Sequence, residues 1–121
     1  MRRFVRFRSC LRDPAAPSPL GIFRAAGELI EAEALDPWSA SRVEEICAWF
    51  NRHLIAPKLG PNLRRAVFWF RADCGHMITA LWELAIIMRE RGTDIEFIQT
   101  SRPGLIRYAD DYQIAAIPWR R

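Results

Sequence analysis

Residues 64–71 read Arg-Arg-Ala-Val-Phe-Trp-Phe-Arg, so a run of apolar side chains lies between arginine ends. This pattern is typical of a central strand that is covered on both faces. A broad helical pattern over 77–88 follows, which Gly92 is expected to end, and then a β-rich run at 95–100. Residues 64–100 therefore predict a β-α-β unit with parallel strands and a right-handed crossover.

The sequence before residue 64 predicts one strand followed by two helices. Residues 2–9 are rich in β-formers and have no helical stripe. Ser18-Pro19 and Asp36-Pro37 each join a capping side chain to a proline that suits the first turn of a helix. We expect one helix over about 19–35 and a second that begins at Pro37 and ends near Leu54.

The part after the unit predicts a β-hairpin, and the whole pattern defines a fold class. Residues 105–109 and 112–117 flank a turn at Asp110 and Asp111. A chain of 121 residues can bury roughly two thirds of its unfolded surface without a disulfide or a metal. We predict a single α+β domain over 1–121, in the order β-α-α-β-α-β-β-β, with a mixed sheet of about five strands and three helices. The helices either lie mainly on one face or form a three-layer sandwich.

Composition argues against export and against a disulfide framework. The three cysteines, Cys10, Cys47 and Cys74, are far apart and form no C-x-x-C pair. The arginine-rich start is followed by no apolar run typical of a secretory signal, and the longest apolar stretch is too short for a bilayer. We expect a cytoplasmic protein without a membrane contact.

Several segments between residues 48 and 118 resemble segments of other proteins. They are Ala48-Trp49-Phe50-Asn51 with Leu54, Ala66-Val67-Phe68-Trp69-Phe70, the helix around Met77 with Trp82-Glu83-Leu84, and Arg102-Pro103-Gly104 leading to 108–118. Together they are similar to a group of small uncharacterised bacterial proteins. The resemblance implies one coherent domain, and it carries no catalytic or binding role onto these positions.

The segment Asp73-Cys74-Gly75-His76 is the strongest catalytic candidate, because it lies where a strand ends and a helix begins. The free N–H groups of a helix N-terminus lower the pKa of a thiol, so Cys74 could be a nucleophile with His76 as its base. Thiol phosphatase loops need an arginine six residues after the cysteine, where this chain has Ala80. The structural alternative is that Asp73 caps the helix and that Cys74 is a small buried apolar group.

The sequence contains no motif typical of a metal site or of a nucleotide-binding site. His53 and His76 are the only histidines, and no H-E-x-x-H or C-x-x-C spacing occurs. Asp110 and Asp111 could join Asp73 or Asp94 around magnesium, but a hairpin turn explains them more simply. Phosphate-binding glycine loops and nucleophile elbows are absent. We predict no metal site and no cofactor.

The predicted first strand offers a surface for phosphates or for an acidic partner. One of its faces carries Arg2, Phe4, Arg6 and Arg8. Arginine forks bind phosphates and an aromatic ring can stack on a base, so this face could bind nucleic acid. Residues 1–12 carry five arginines and no acid, whereas 13–60 have a net charge of −3. The structural alternative is an edge strand whose arginines discourage aggregation.

Tryptophan usage suggests a protein interface. Trp69 is expected in the core, whereas Trp38, Trp49, Trp82 and Trp119 lie at helix starts, stripe margins or a strand end. Tryptophan and arginine are enriched among interface residues that carry binding energy. The alternative is that a small domain uses its tryptophans to fill the core.

These observations favour a non-enzymatic binding or regulatory module that covers a protein or nucleoprotein partner, such as an inhibitor or immunity-type protein in bacterial defence or counter-defence. The acidic helical region could meet a basic protein, and a homodimer is compatible with the sequence. The alternatives are nucleic-acid binding through the arginine strand and a thiol-dependent enzyme at Cys74.

Overall fold

The computed structural model describes residues 3–9, 21–55, 57 and 65–119. The strands are β1 (Phe4–Ser9), β2 (Val67–Arg71), β3 (Ile95–Thr100), β4 (Leu105–Ala109) and β5 (Gln113–Ile117). The helices are α1 (Ile22–Glu31), α2 (Pro37–His53) and α3 (Gly75–Glu90). The predicted α+β class, element order and numbers of strands and helices are confirmed.

The sheet has the strand order β3-β1-β2-β5-β4, and every pairing is antiparallel. The expectation of a mixed sheet was wrong, because β1 lies between β2 and β3 and is antiparallel to both. β2 and β3 therefore run parallel to each other without pairing, so they form no directly paired β-α-β unit. The N-terminal strand is internal, which also excludes its interpretation as an edge strand.

The helix boundaries follow local signals where these are strong. Asp36 caps α2, since its side chain accepts a hydrogen bond from the backbone N–H of Ser39 at 3.3 Å, and Pro37 occupies the first turn as predicted. α1 is shorter than expected. It begins at Ile22, ends at Glu31 and is followed by Glu33 in the left-handed region with φ 52°, while the predicted start at Ser18-Pro19 lies outside the described residues.

All three helices pack on one face of the sheet, which we call the helix side. The buried cluster on this side joins residues of α1, α2 and α3 to β1, β2 and β3. Its fully buried members include Phe50, Met77, Leu81, Leu84 and Met88. Of the two arrangements expected from the sequence, the structure has the one with the helices on one face.

The opposite face, which we call the helix-free side, has a smaller cluster. Phe4, Ile114 and Ala116 are buried there, and the half-buried Trp69 packs against them. No helix of the described residues contributes to this cluster. β2 is the third of five strands, as expected for a central strand, but it is not covered throughout, because Phe68 is 39% exposed.

Candidate functional site

The segment predicted as a thiol site is buried against the hairpin that joins β4 to β5. Cys74 is 8% exposed, and its Sγ lies 3.4 Å from the carbonyl oxygen of Asp111, to which it can donate a hydrogen bond. Burial, followed by the charge of Asp73, raises the pKa of this thiol. Cys74 itself is the N-terminal cap residue of α3, and no side chain caps that end. Asp73 is therefore not the cap that the structural alternative assigned to it.

The structure does not bring His76 into hydrogen-bond contact with Cys74. His76 is exposed, and it is not among the hydrogen-bond partners of the thiol in the described residues. Its ring lies edge-on to Trp49, with 6.0 Å between the centroids. The ring of His53 stacks on the same tryptophan at 4.4 Å, and its Nδ1 lies 2.7 Å from the carbonyl oxygen of Trp49.

The side chain of Asp110 stabilises the turn of the hairpin. Oδ1 of Asp110 accepts hydrogen bonds from the backbone N–H groups of Tyr112 and Gln113, at 2.8 and 2.9 Å. Its Oδ2 accepts one from the hydroxyl of Tyr108 at 2.7 Å. No group of three metal-ligating side chains occurs in the part of the chain that the structure describes. Nor does that part contain a helix that is long and apolar enough to cross a membrane.

The arginine strand places two cations together on the helix-free side. Arg6 and Arg8 are both half-buried, and Arg8 forms an ion pair with Glu96 of β3 at 3.3 Å. Burial, followed by repulsion from Arg8, lowers the pKa of Arg6 to about 10. Phe4 is only 6% exposed, so it does not present its ring for stacking. Arg2 lies outside the described residues.

The four tryptophans predicted at an interface divide into two pairs. Trp38 and Trp119 are 68% and 62% exposed. Trp49 and Trp82 are half-buried, and Trp82 packs edge-on against Phe7 with 4.9 Å between the ring centroids. Trp82 therefore fills space between α3 and β1, whereas Trp38 and Trp119 are accessible to a partner.

A groove of about 470 Å³ lies between α2 and α3. It is lined by Arg42, Glu45, Ile46, Ala48, Trp49, Arg52 and Ala80. Its apolar lining, which we call the floor, consists of Ile46, Ala48 and Ala80, and the ring of Trp49 forms part of its wall. Arg52 is exposed and has no ion pair among the residues that the structure describes. The groove thus offers an apolar floor, an aromatic wall and an unneutralised cation.

A charged network closes one end of the groove. Both carboxylate oxygens of Glu83 accept hydrogen bonds from Arg42, through Nε and, at 2.7 Å, through Nη2. The Nη1 of Arg42 also donates to Glu45 at 3.0 Å. These contacts raise the pKa of Arg42, chiefly through Glu83, and the hydrogen bonds from Arg42 lower the pKa of Glu83. The network joins α2 to α3 and fixes the shape of the groove.

Two exposed apolar side chains extend the groove beyond this network. α2 and α3 are antiparallel, since Arg42 meets Glu83 and Trp49 meets His76. Trp38 lies one turn before Arg42, and the 50% exposed Ile86 lies one turn after Glu83. Both therefore flank the same end. We call this surface the α2–α3 face, and its defining residues are Trp38, Arg42, Trp49, Arg52, Ala80 and Ile86.

The sequence predicted two of these six residues. Trp38 and Trp49 were candidates because of their residue type, whereas Arg42 and Arg52 were not among the candidate residues. A spacing signal could have joined them, because positions 38, 42, 45, 49 and 52 follow one face of a helix. No spacing in the sequence indicated that Ala80 and Ile86 of α3 belong to this surface, because their position depends on how α3 packs against α2.

No known protein family, curated protein or solved structure matches this chain.

Proposed function

We propose that this protein is a non-enzymatic protein-binding module whose partner docks on the α2–α3 face. The observation that carries the proposal is the groove, which combines a tryptophan wall, an apolar floor and an arginine without an ion pair in the described residues. Residues that carry much of the energy of protein interfaces are enriched in tryptophan and arginine and cluster in pockets.

The chemistry of the groove indicates what the partner presents. An apolar side chain fits over Ala48 and Ala80, and it would pack against the ring of Trp49. A neighbouring carboxylate would pair with Arg52, while Arg42 is already engaged by Glu83 and Glu45. The partner surface is therefore apolar with an acidic group beside it. An inhibitor or immunity-type role fits this proposal, since such proteins act by covering a partner.

A crosslinking experiment tests the proposal. A photoreactive amino acid placed at Trp38 in cells of the source organism should capture one protein, and the same group at the exposed Glu31 of α1 should not. With that protein purified, Trp38→Ala is expected to weaken binding about thirtyfold. Arg52→Glu should also weaken binding, whereas Arg65→Glu makes the same charge change outside the groove and should not. Unchanged affinity in both groove variants would refute the proposal.

Nucleic-acid binding is a second candidate, favoured by the two adjacent guanidinium groups on the helix-free side. The buried Phe4 limits the contact to phosphates, so the expected affinity is independent of base sequence and falls steeply with salt. Fluorescence anisotropy with a single-stranded oligonucleotide measures this affinity. Combined Arg6→Glu and Arg8→Glu substitutions should abolish binding while the chain stays folded, and binding indifferent to both changes would exclude the candidate.

The structure gives less support to a thiol enzyme. A nucleophilic cysteine needs a lowered pKa and a neighbouring base, whereas burial raises the pKa of the Cys74 thiol. We expect Cys74 to react with iodoacetamide more slowly than a free thiol at neutral pH, as measured by mass spectrometry of the alkylated peptides. A faster reaction would return Cys74 to consideration.

A further inference from the structure

The groove of the α2–α3 face lies between two antiparallel helices, which restricts the kind of backbone that can occupy it. The residues that line it belong to α2 and α3, where most backbone N–H and C=O groups are engaged in hydrogen bonds within the helix. An added strand would find no partners there, and the edges of the sheet, β3 and β4, lie outside the groove. A docked segment therefore has to satisfy its own backbone hydrogen bonds, as a helix does.

The side chains of α2 on this face follow the spacing that packing against a further helix requires. They are Trp38, Arg42, Glu45, Trp49 and Arg52, at intervals of four, three, four and three residues. Alternating intervals of three and four residues form the holes into which the side chains of a neighbouring helix insert. Ala48 and Ala80 line the groove with small side chains, which allow another helix axis to approach closely.

Two apolar positions on this face determine the length of the docked helix. Trp49 lies in the groove, and Trp38, which is 68% exposed, lies eleven residues before it on α2. Eleven residues of a helix make three turns, or about 16 Å. Between the two tryptophans, Arg42 is bound to the carboxylates of Glu45 and Glu83, so this part of the face is charged. A docked helix would thus place one apolar side chain at each tryptophan and polar side chains between them.

Arg52 supplies the charge that the partner has to complement. It follows Trp49 by three residues, is exposed and has no ion pair among the described residues. We propose that the partner occupies the α2–α3 face with an amphipathic helix of about four turns. This helix carries two apolar side chains eleven residues apart, and an acidic one three or four residues outside the apolar side chain that packs on Trp49. The docking helix rests on the proposed function, to which it adds the backbone form and the side-chain pattern of the partner.

A peptide selection on the purified full chain tests the side-chain pattern. The library contains random peptides about 20 residues long, displayed on their own mRNA, which is long enough for four helical turns. Selected peptides are expected to carry the two apolar positions and the acidic one at the proposed spacing. Selection on Arg52→Glu should replace the acidic residue by lysine or arginine, because the charge beside the groove is reversed. Selection on Arg65→Glu, which makes the same charge change outside the groove, should retain the acidic residue.

The tightest selected peptide then tests the helix. Its circular dichroism should gain helical signal on binding, since isolated helices of this length are marginal in water. Proline at the centre of the peptide should weaken binding about hundredfold, whereas proline at its first residue should not. Trp38→Ala in the protein should weaken binding about tenfold. Trp119→Ala is the matched control, because Trp119 is similarly exposed but lies outside the groove.

The outcomes separate the docking helix from the proposed function. Peptides that lose affinity with Trp38→Ala, but that lack the helical spacing or tolerate a central proline, would overturn the helix and leave the proposed function standing. A selection that enriches no peptide sensitive to Trp38→Ala or Arg52→Glu would also overturn the helix. The proposed function fails separately, if the crosslinked partner binds both groove variants as tightly as the wild type.

Discussion

The two sides of the sheet are stabilised to different degrees. On the helix side, seventeen buried residues form one cluster that joins three helices to β1, β2 and β3. On the helix-free side, the cluster has three buried residues, and two of them belong to β5. No residue of β4 or β5 belongs to the helix-side cluster in the described part of the chain. Strands β4 and β5 thus depend on sheet hydrogen bonds and on this small cluster, while Tyr112 in the turn between them packs against the helix-side cluster.

The largest expected effect is the loss of unfolding free energy when one buried side chain on each side of the sheet is truncated to alanine. Leu84 and Ile114 are both 0% exposed, and each side chain loses three carbons on substitution by alanine. We expect Leu84→Ala to lower the free energy of unfolding by about 4 kcal/mol, and Ile114→Ala by about 2 kcal/mol, because the smaller cluster offers fewer contacts to lose. Urea unfolding measures both values. Equal losses would contradict the difference between the two sides.

A backbone contact provides the second test. Gly104 precedes β4 with φ +124°, and a Cβ at this position would lie 2.0 Å from the carbonyl oxygen of Ile117. Gly104→Ala is therefore expected to destabilise the protein by about 2 kcal/mol, and it should loosen the pairing of β4 with β5.

Hydrogen exchange of β4 amides and urea unfolding check this expectation. Gly27→Ala is the control, since Gly27 lies at an exposed position of α1 with nothing within 4 Å of an added Cβ. That substitution should stabilise the helix by about 0.5–1 kcal/mol. Equal behaviour of the two glycine variants would show that the close approach at Gly104 is unimportant.

The smallest effect concerns the outer surface of the helical layer. The hydrogen bonds from Arg42 lower the pKa of Glu83 in the folded protein, so the ion pair stabilises the fold above the unfolded-state pKa. This contribution is lost as the pH falls through the folded-state pKa. We expect Glu83→Gln to cost about 0.5 kcal/mol near neutral pH, because both side chains are partly exposed.

Urea unfolding at neutral and acidic pH measures this dependence. The cost of Glu83→Gln should vanish once the carboxyl group is protonated in both states. Glu31→Gln, at an exposed position of α1, should change stability little at either pH. A cost of Glu83→Gln that does not depend on pH would show that its contribution is not electrostatic.

Local signals were sufficient for much of the secondary structure. The bounds of β3 and β4 agree with those expected from alternating side chains and turn residues, and Asp36 with Pro37 determines the start of α2. The expected end of α1 near residue 35 was wrong, and its expected start lies outside the described residues. Its apolar spacing continues beyond Glu31, but the backbone leaves the helix there and Glu33 adopts a positive φ.

The candidate site shows the limit of the same reasoning. Trp38 and Trp49 could be chosen from the sequence because tryptophan is enriched at protein interfaces. Both lie on one helix, α2. The groove could not be predicted, because Ala80 and Glu83 come from another helix and the contact of Arg42 with Glu83 spans 41 residues. The environment of Cys74 could not be predicted for a related reason, since its thiol contacts the backbone carbonyl of Asp111, 37 residues away in the chain.

The sequence by itself determined the order and nature of the elements, since hydrophobic periodicity, capping residues and turns act over a few neighbouring positions. Only the tertiary structure decided that β1 enters the sheet between β2 and β3, and that α2 and α3 enclose a groove. These features depend on contacts between distant residues, in which burial of a common core selects one arrangement among several that share the same local pattern.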